Sequence, residues 1–181
     1  MRLWSACGGS SSSRRSLTPH RVYIGIGSNQ GDRQANALAA VDRIAQLPVT
    51  RVVRVSSLYE SEPWGDAATW FVNGAIEVET EAEPKALLEQ LQGIEEALGR
   101  RRVAGRRWAS RVIDLDILLW DRCVLDEPSL TVPHPEMHRR RFVLLPLAEL
   151  AADVVHPVLE QTIAALLATV QDDKRVTLLR P

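Results

Sequence analysis

The sequence contains few cysteines, no long hydrophobic run and none of three common phosphate-binding or catalytic motifs, and each shortage limits what the protein can be. Its two cysteines, Cys7 and Cys123, are too few and too far apart for a disulfide framework or a zinc site, and they fit a reducing compartment such as the cytoplasm. No apolar stretch approaches the roughly 20 residues that a membrane span requires, which excludes an integral membrane protein. Walker A, kinase glycine-rich and Gly-x-Ser-x-Gly motifs are also absent, so any phosphate groups must be bound by side chains.

The charge balance gives no general indication of a nucleic-acid or membrane-surface partner. The 181 residues include 22 basic and 23 acidic side chains, and 45% are hydrophobic, a composition typical of one soluble globular domain. Residues 1–20 carry three arginines, a Gly/Ser run and no acid, so we predict a disordered leader there and a single folded domain over residues 21–181. The same leader composition is also found in organelle transit peptides.

Hydrophobic periodicity predicts the element order β-α-β-β-α-β followed by further helices. The predicted strands span residues 22–26, 51–59, 71–79, 111–120 and 175–179. The predicted helices span residues 32–47, 84–98, 147–151 and 157–170. This order favours an α+β fold of the ferredoxin-like sandwich kind, with a mainly antiparallel sheet, helices packed on it and extra C-terminal helices.

Asp114 and Asp116 stand two residues apart in the most strand-like run of the chain. On a strand, both side chains project from one face, while Ile113, Leu115 and Ile117 face the core. Side chains so placed lie about 6–7 Å apart, which allows two carboxylates to hold one or two divalent cations and relieves their mutual repulsion. An Asp-x-Asp pattern also arises by chance in a chain with ten aspartates, so the pair alone predicts little.

Six arginines lie just before the aspartate pair: Arg100, Arg101, Arg102, Arg106, Arg107 and Arg111. Beside two carboxylates, this density suits a polyphosphate whose metal binds the acids and whose other oxygens accept forked guanidinium contacts. The alternative is a solvated basic loop or an RNA contact, which would make the protein a small RNA-binding α+β module. The exposed stacking aromatics and RNP-like strand of such a module are not found in the sequence.

Three blocks of sequence resemble the 6-hydroxymethyl-7,8-dihydropterin pyrophosphokinase family of folate biosynthesis. They are RWASRVIDLDIL at 107–118, LTVPHPEM at 130–137 and Arg140-x-Phe142, supported by GSN at 27–29, SLY at 57–59 and FVN at 71–73. The resemblance covers about residues 22–170. It implies transfer of the pyrophosphoryl group of ATP to the hydroxymethyl group of the reduced pterin, with release of AMP.

The resemblance also implies roles for individual residues. Asp114 and Asp116 would bind two Mg²⁺ ions and act in catalysis with Arg100, Arg102 and Arg111. Implied ATP contacts are Gln92, Glu95, Arg102, Arg107, Trp108, Arg111, Ile117, Thr131, His134 and Arg140. Implied pterin contacts are Ser61, Glu62, Trp64, Phe71, Asn73, Trp108, Asp114 and Phe142.

Two of the implied pterin contacts depart from the family pattern. Glu62 stands where the family commonly has proline, and Phe71 stands where it commonly has tyrosine. We expect a cytoplasmic monomer that acts on small molecules, without a nucleic-acid or membrane partner.

Overall fold

The computed structural model describes residues 18–63, 69–100 and 111–180. Its strands are β1 His20–Ser28, β2 Thr50–Val55, β3 Tyr59–Ser61, β4 Phe71–Thr80, β5 Asp114–Trp120, β6 Leu125–Glu127, β7 Leu130–Val132 and β8 Val176–Leu178. Its helices are α1 Arg33–Ile44, α2 Pro84–Ala97, α3 Arg141–Ala151 and α4 Ile163–Thr169, with a single 3₁₀ turn at Met137–Arg139. The predicted α+β sandwich, with its antiparallel sheet and extra C-terminal helices, is confirmed. In the described part of the chain, none of these helices combines the length and apolar character needed to cross a bilayer.

The main sheet has the strand order β5-β1-β4-β3-β8, and β2 also pairs with β4. Each of these pairs is antiparallel, and β6 and β7 form a separate hairpin. In the central strand β1, Gly27 lies opposite Asp114 on β5 and Asn73 on β4, while Gly25 lies opposite Asp116. Because directly opposed residues point to the same side of a sheet, the polar groups of β5 and β4 share one face.

Alternation along the strands builds two cores, one on each face of the sheet. The core beneath α1 and α2 contains Val22, Ile24, Ile26, Ala37, Ala40, Ile44, Ile76, Leu87, Leu91, Ile113, Leu115 and Ile117. The core beneath α3 and α4 contains Tyr23, Leu118, Leu119, Leu144, Leu147, Ile163 and Leu166. Each fully buried aliphatic side chain contributes roughly 1.5–3 kcal/mol, so both helical layers hold firmly to the sheet.

Several element boundaries differ from the sequence predictions. The strand predicted over residues 51–59 is divided into β2 and β3, because the side chain of Ser56 between them accepts a hydrogen bond from the amide of Ala75. Helix α3 begins at Arg141 rather than at residue 147, with Pro146 buried inside it. Helix α4 begins at residue 163 rather than 157, because the Thr162 side chain caps it by accepting from the Ala165 amide.

At the N-terminal side, β1 begins at His20, the last residue of the expected leader, and residues 1–17 lie outside the described residues. The predicted start of α1 is confirmed: the Asp32 carboxylate accepts a hydrogen bond from the Ala35 amide at 3.0 Å.

Candidate active site

A cavity of about 470 Å³ lies on the face of the sheet that carries Asp114 and Asp116, beside the N-terminal end of α3. Its wall includes residues from the sheet and from the segment that leads into α3. The sequence-predicted residues that line it are Ser61, Glu62, Phe71, Asn73, Arg111, Asp114, Asp116, His134, Arg140 and Phe142. The fold therefore brings residues from five separate stretches of sequence to one opening.

The floor of the cavity contains two glycines of β1 that were not predicted as site residues. Gly25 and Gly27 line the cavity opposite the two aspartates. A Cβ atom at Gly27 would stand 3.7 Å from Asn73 Oδ1 and 3.9 Å from Asp114 Cβ, and would fill the space between these side chains. The signal was present in the sequence, because glycine recurs at alternate positions of a strand whose other face is apolar.

The structure places both aspartates on the open face of β5, and Ile113, Leu115 and Ile117 are at most 3% exposed on the other side. Burial, followed by the charges of Asp114 and Glu95, raises the pKa of Asp116 to about 7 against the opposing effect of nearby arginines. A cation bound here would oppose that shift, because it favours the ionised carboxylate.

Asp114 is held in an ion-pair network at the start of β5. Arg100 Nη1 lies 2.7 Å from Asp114 Oδ1, and Arg111 donates to the other carboxylate oxygen. Glu95 of α2, whose side chain is 2% exposed, contacts Arg100 and accepts a hydrogen bond from the Leu115 amide at 2.8 Å. Burial is the main cause that raises the pKa of Glu95. This network ties the end of α2 to the strand that carries both aspartates.

The turn after β1 fixes the segment that carries Arg111. Asn29 Oδ1 accepts from the Arg111 amide at 2.6 Å, and the Asn29 amide donates to the Arg111 carbonyl at 3.1 Å. Ser28 Oγ donates to the Val112 carbonyl at 2.6 Å, and Asn36 of α1 donates to the same carbonyl at 3.3 Å. Ser28 and Asn36 were not predicted as site residues, because their partners lie 76 residues or more away along the chain.

At the opposite side of the cavity, Asn73 is buried and donates to Ser61 Oγ at 2.9 Å. This bond fixes the orientation of a carboxamide, a group that can both donate and accept hydrogen bonds. Phe71 and Phe142 line the same cavity and provide aromatic surface for a flat ring. The arrangement can therefore bind a heterocycle that has an amide-like edge.

His134 and Arg140 complete the wall near α3. His134 Nδ1 accepts a hydrogen bond from the Glu136 amide at 3.2 Å, which assigns the ring proton to Nε2. Burial, assisted by the charge of Arg140, lowers the pKa of His134, so the ring is neutral at pH 7. A neutral imidazole and a guanidinium here offer hydrogen-bond donors to a ligand that carries acceptor oxygens.

Some predicted ligand contacts do not reach the cavity wall. Ile117 is buried in the core beneath α1 and α2 and does not line the cavity, and its contact with ATP stays a prediction. Gln92 lies on α2, and Thr131 lies on β7, which pairs only with β6; neither lines the cavity. Arg102, Arg107, Trp108 and Trp64, together with Arg101 and Arg106, lie outside the described residues.

The donor set suits a hard cation bound jointly with a substrate. Within residues 18–63, 69–100 and 111–180, no group of three or more His, Cys, Asp or Glu side chains is arranged to hold a metal ion. Two neighbouring carboxylates match the way in which Mg²⁺ is usually bound, through one or two carboxylates, retained waters and substrate phosphates. Asp114 and Asp116 are therefore the residues that fit such an ion.

Comparison with known proteins gives a consistent result. A family model described as 7,8-dihydro-6-hydroxymethylpterin-pyrophosphokinase (HPPK) matches residues 23–152. The 2-amino-4-hydroxy-6-hydroxymethyldihydropteridine pyrophosphokinase of Methylorubrum extorquens is 46% identical over 136 residues, which cover 75% of this chain and 85% of the relative. The Haemophilus influenzae protein of the same name is 41% identical over 158 residues, covering 87% and 97% of the two chains.

Solved structures show the same fold. One HPPK-DHPS structure from Plasmodium falciparum aligns with a TM-score of 0.68 at 14% sequence identity, covering 86% of this chain. The alignment covers 45% of that longer chain. At this identity the likeness concerns the fold alone.

Proposed function

Since the chain belongs to the 7,8-dihydro-6-hydroxymethylpterin-pyrophosphokinase family, we propose that it transfers the pyrophosphoryl group of ATP to the hydroxymethyl oxygen of 6-hydroxymethyl-7,8-dihydropterin. The products would be AMP and the pterin diphosphate, in a step of folate biosynthesis. The observation that carries this proposal is the presence of Asp114, Asp116, Asn73 and two phenylalanines in one cavity. The pyrophosphokinase relatives favour this function over the RNA-binding alternative.

The positions of the polar groups support a defined orientation of the pterin. Gly27 lies directly opposite Asp114 on β5 and Asn73 on β4. Neighbouring strands are about 4.8 Å apart, so the backbones at Asp114 and Asn73 are separated by roughly 10 Å. A pterin whose amide edge meets Asn73 would direct its 6-hydroxymethyl group across Gly27 toward the aspartates. Phe71 and Phe142 would stack on the bicyclic ring.

In the proposed reaction, the hydroxymethyl oxygen attacks the β-phosphorus of ATP. A bond forms between these atoms, the bond from the β-phosphorus to the oxygen bridging it to the α-phosphorus breaks, and AMP leaves with that oxygen. The hydroxyl proton is released. Catalysis of this kind depends mainly on positioning and on stabilisation of charge.

The residues of the site supply both contributions. We propose that Asp114 and Asp116 hold Mg²⁺, and the family resemblance implies two ions. Bound Mg²⁺ would neutralise the charge of the triphosphate and favour loss of the hydroxyl proton. Arg111, Arg140 and His134 present donors to phosphate oxygens, and guanidinium groups form strong charge-assisted bonds with them. Arg100, paired with Asp114, lies close enough to join them.

Product analysis tests the proposal directly. Incubation with ATP, Mg²⁺ and the reduced pterin should form AMP in amounts that depend on both the pterin and the metal. Asp114→Ala and Asp116→Ala should abolish turnover, whereas Asp126→Ala, at an exposed aspartate of β6, should leave it intact. Formation of ADP in place of AMP, or near-normal turnover by Asp116→Ala, would contradict the assignment. A monomeric state and a cytoplasmic location remain predictions.

A further inference from the structure

Residues 172–178, which we name the C-terminal clasp, contact both the β3–β4 side and the α3 side of the cavity. They lie beyond residues 23–152, the part of the chain matched by the family model. The clasp includes β8, which pairs with β3 from Ser61↔Val176 to Tyr59↔Leu178. Ser61, at the end of this ladder, lines the cavity and holds the carboxamide of Asn73.

The first contact of the clasp is made by Arg175 with Glu62. The Glu62 amide donates to the Arg175 carbonyl at 3.0 Å, and the Arg175 amide donates to Glu62 Oε2 at 3.2 Å. Arg175 Nε lies 3.8 Å from Glu62 Oε1. Glu62 lines the cavity directly after β3, so its backbone and its carboxylate are both held by the clasp.

The guanidinium of Arg175 also reaches the other end of the β3–β4 connection. Its Cζ atom lies 5.7 Å from the centre of the Trp70 ring, within the range of a cation–π contact. Trp70 directly precedes Phe71, which lines the cavity at the start of β4. One side chain therefore contacts both Glu62, where the connection begins, and Trp70, where it ends.

The second contact of the clasp fixes the start of α3. Arg140, the cap residue of α3, makes no side-chain capping bond of its own. Asp172 Oδ2 accepts from the Arg141 amide at 2.8 Å, and its other oxygen accepts from the Lys174 amide at 3.1 Å. A carboxylate at this end of a helix satisfies a free amide and interacts favourably with the helix dipole. Phe142, the next residue of α3, lines the cavity.

We propose that the clasp positions the pterin-binding wall, with Arg175 and Asp172 as positioning residues for Glu62, Phe71 and Phe142. The inference rests on the proposed function. Walls held in place before the ligand arrives reduce the entropy lost on binding, so loss of these contacts weakens binding of the ring. The aspartate pair at the other end of the cavity is held by Glu95 and Asn29 instead, through contacts that the clasp does not make.

The test compares clasp variants with matched controls in the full chain. Arg175→Ala is paired with Arg180→Ala, and Asp172→Ala with Asp173→Ala, because both control residues are exposed and lie within or just after the clasp. Calorimetry would measure the Kd of 6-hydroxymethyl-7,8-dihydropterin in the presence of Mg²⁺ and α,β-methylene-ATP, whose bridging carbon prevents transfer. A separate titration would measure the Kd of the nucleotide analogue.

We expect Arg175→Ala to raise the pterin Kd by about three- to tenfold, the range for one exposed cation–π and ion-pair contact. Its nucleotide Kd should stay within about twofold of wild type, and KM for the pterin should rise more than kcat falls. Arg175→Lys should recover part of the pterin affinity, because it restores the charge without the planar guanidinium. Asp172→Ala should also weaken pterin binding, and both controls should match wild type.

The outcomes separate the clasp from the proposed function. A wild-type protein that neither binds the pterin nor forms AMP would refute the proposed function itself. A wild type that does both, with an unchanged pterin Kd in Arg175→Ala, would overturn the clasp proposal alone. Equal weakening of pterin and nucleotide, together with a lower unfolding temperature, would also overturn it, because the clasp would then act only on overall stability.

Discussion

Replacing Asp116 by asparagine should stabilise the metal-free protein and at the same time abolish pyrophosphoryl transfer. Burial and the charges of Asp114 and Glu95 raise the pKa of the Asp116 carboxyl to about 7. In an unfolded chain the same group titrates near 3.9. Above pH 7 without metal, the folded protein therefore carries an unfavourable charge that asparagine would remove while keeping a similar shape.

The difference of about three pKa units corresponds to roughly 4 kcal/mol once the carboxyl is ionised in both states. Water can enter the open cavity and solvate the carboxylate, so we expect about half of this, near 2 kcal/mol. The sign follows from proton binding. Between pH 4 and 7 the folded state retains a proton that the unfolded state has lost, so stability due to this group falls as pH rises. The gain from asparagine should therefore grow with pH.

Urea unfolding in EDTA at pH 5 and pH 8 measures this gain. The free energy of unfolding of Asp116→Asn should exceed that of wild type at pH 8, and by a smaller margin at pH 5. Asp126→Asn, at an exposed position of β6, controls for a change of net charge and should show little gain at either pH. An Asp116→Asn protein that is less stable than wild type at pH 8, or whose gain does not change with pH, would refute the reasoning.

Three further predictions concern stability and pterin binding. Asp32→Ala should lower the free energy of unfolding by about 1 kcal/mol in urea, because Asp32 caps α1, whereas Asp42→Ala on the exposed surface of that helix should have little effect. Burial, then the charge of His138, lowers the pKa of the buried His156, so the stability that this group contributes should fall as pH falls below about 6.5. The free energy of unfolding of His156→Gln should therefore improve relative to that of wild type between pH 7.5 and 5.5 in the same assay. Phe142→Ala should raise the pterin KM by about tenfold through lost stacking, with little change in the KM for ATP in steady-state kinetics.

The face of β5 on which Asp114 and Asp116 lie was predictable because it depends on local geometry. Side chains alternate along any strand, so burial of Ile113, Leu115 and Ile117 leaves Asp114 and Asp116 on the opposite face. No knowledge of the neighbouring strands is needed for this step. The cap of α1 was predictable for the same reason, since its donor lies three residues from Asp32.

What holds the site together was not predictable from local patterns. The bond from Asn29 to Arg111 joins residues 82 apart in sequence, and the strand register that decides such contacts is a tertiary property. The early start of α3 was missed because Pro146 argues locally against a helix, although its ring is accommodated within the core. The resemblance predicted most residues of the cavity wall as site residues, but it assigned no role to Ser28, Asn36 or the clasp.

The two ends of the cavity are supported by different parts of the chain, and β1 lies between them. Glu95 of α2 and the turn at Asn29 hold the aspartate end, whereas the clasp contacts the end lined by Glu62, which we propose binds the pterin. Effects of mutations at sites more than about 7–10 Å apart usually add when they share no partners. Changes at Glu95 and at Arg175 should therefore combine additively in the binding free energies of the two substrates. Gly27 lies between the two ends, and a larger side chain there would occupy the space between Asn73 and Asp114.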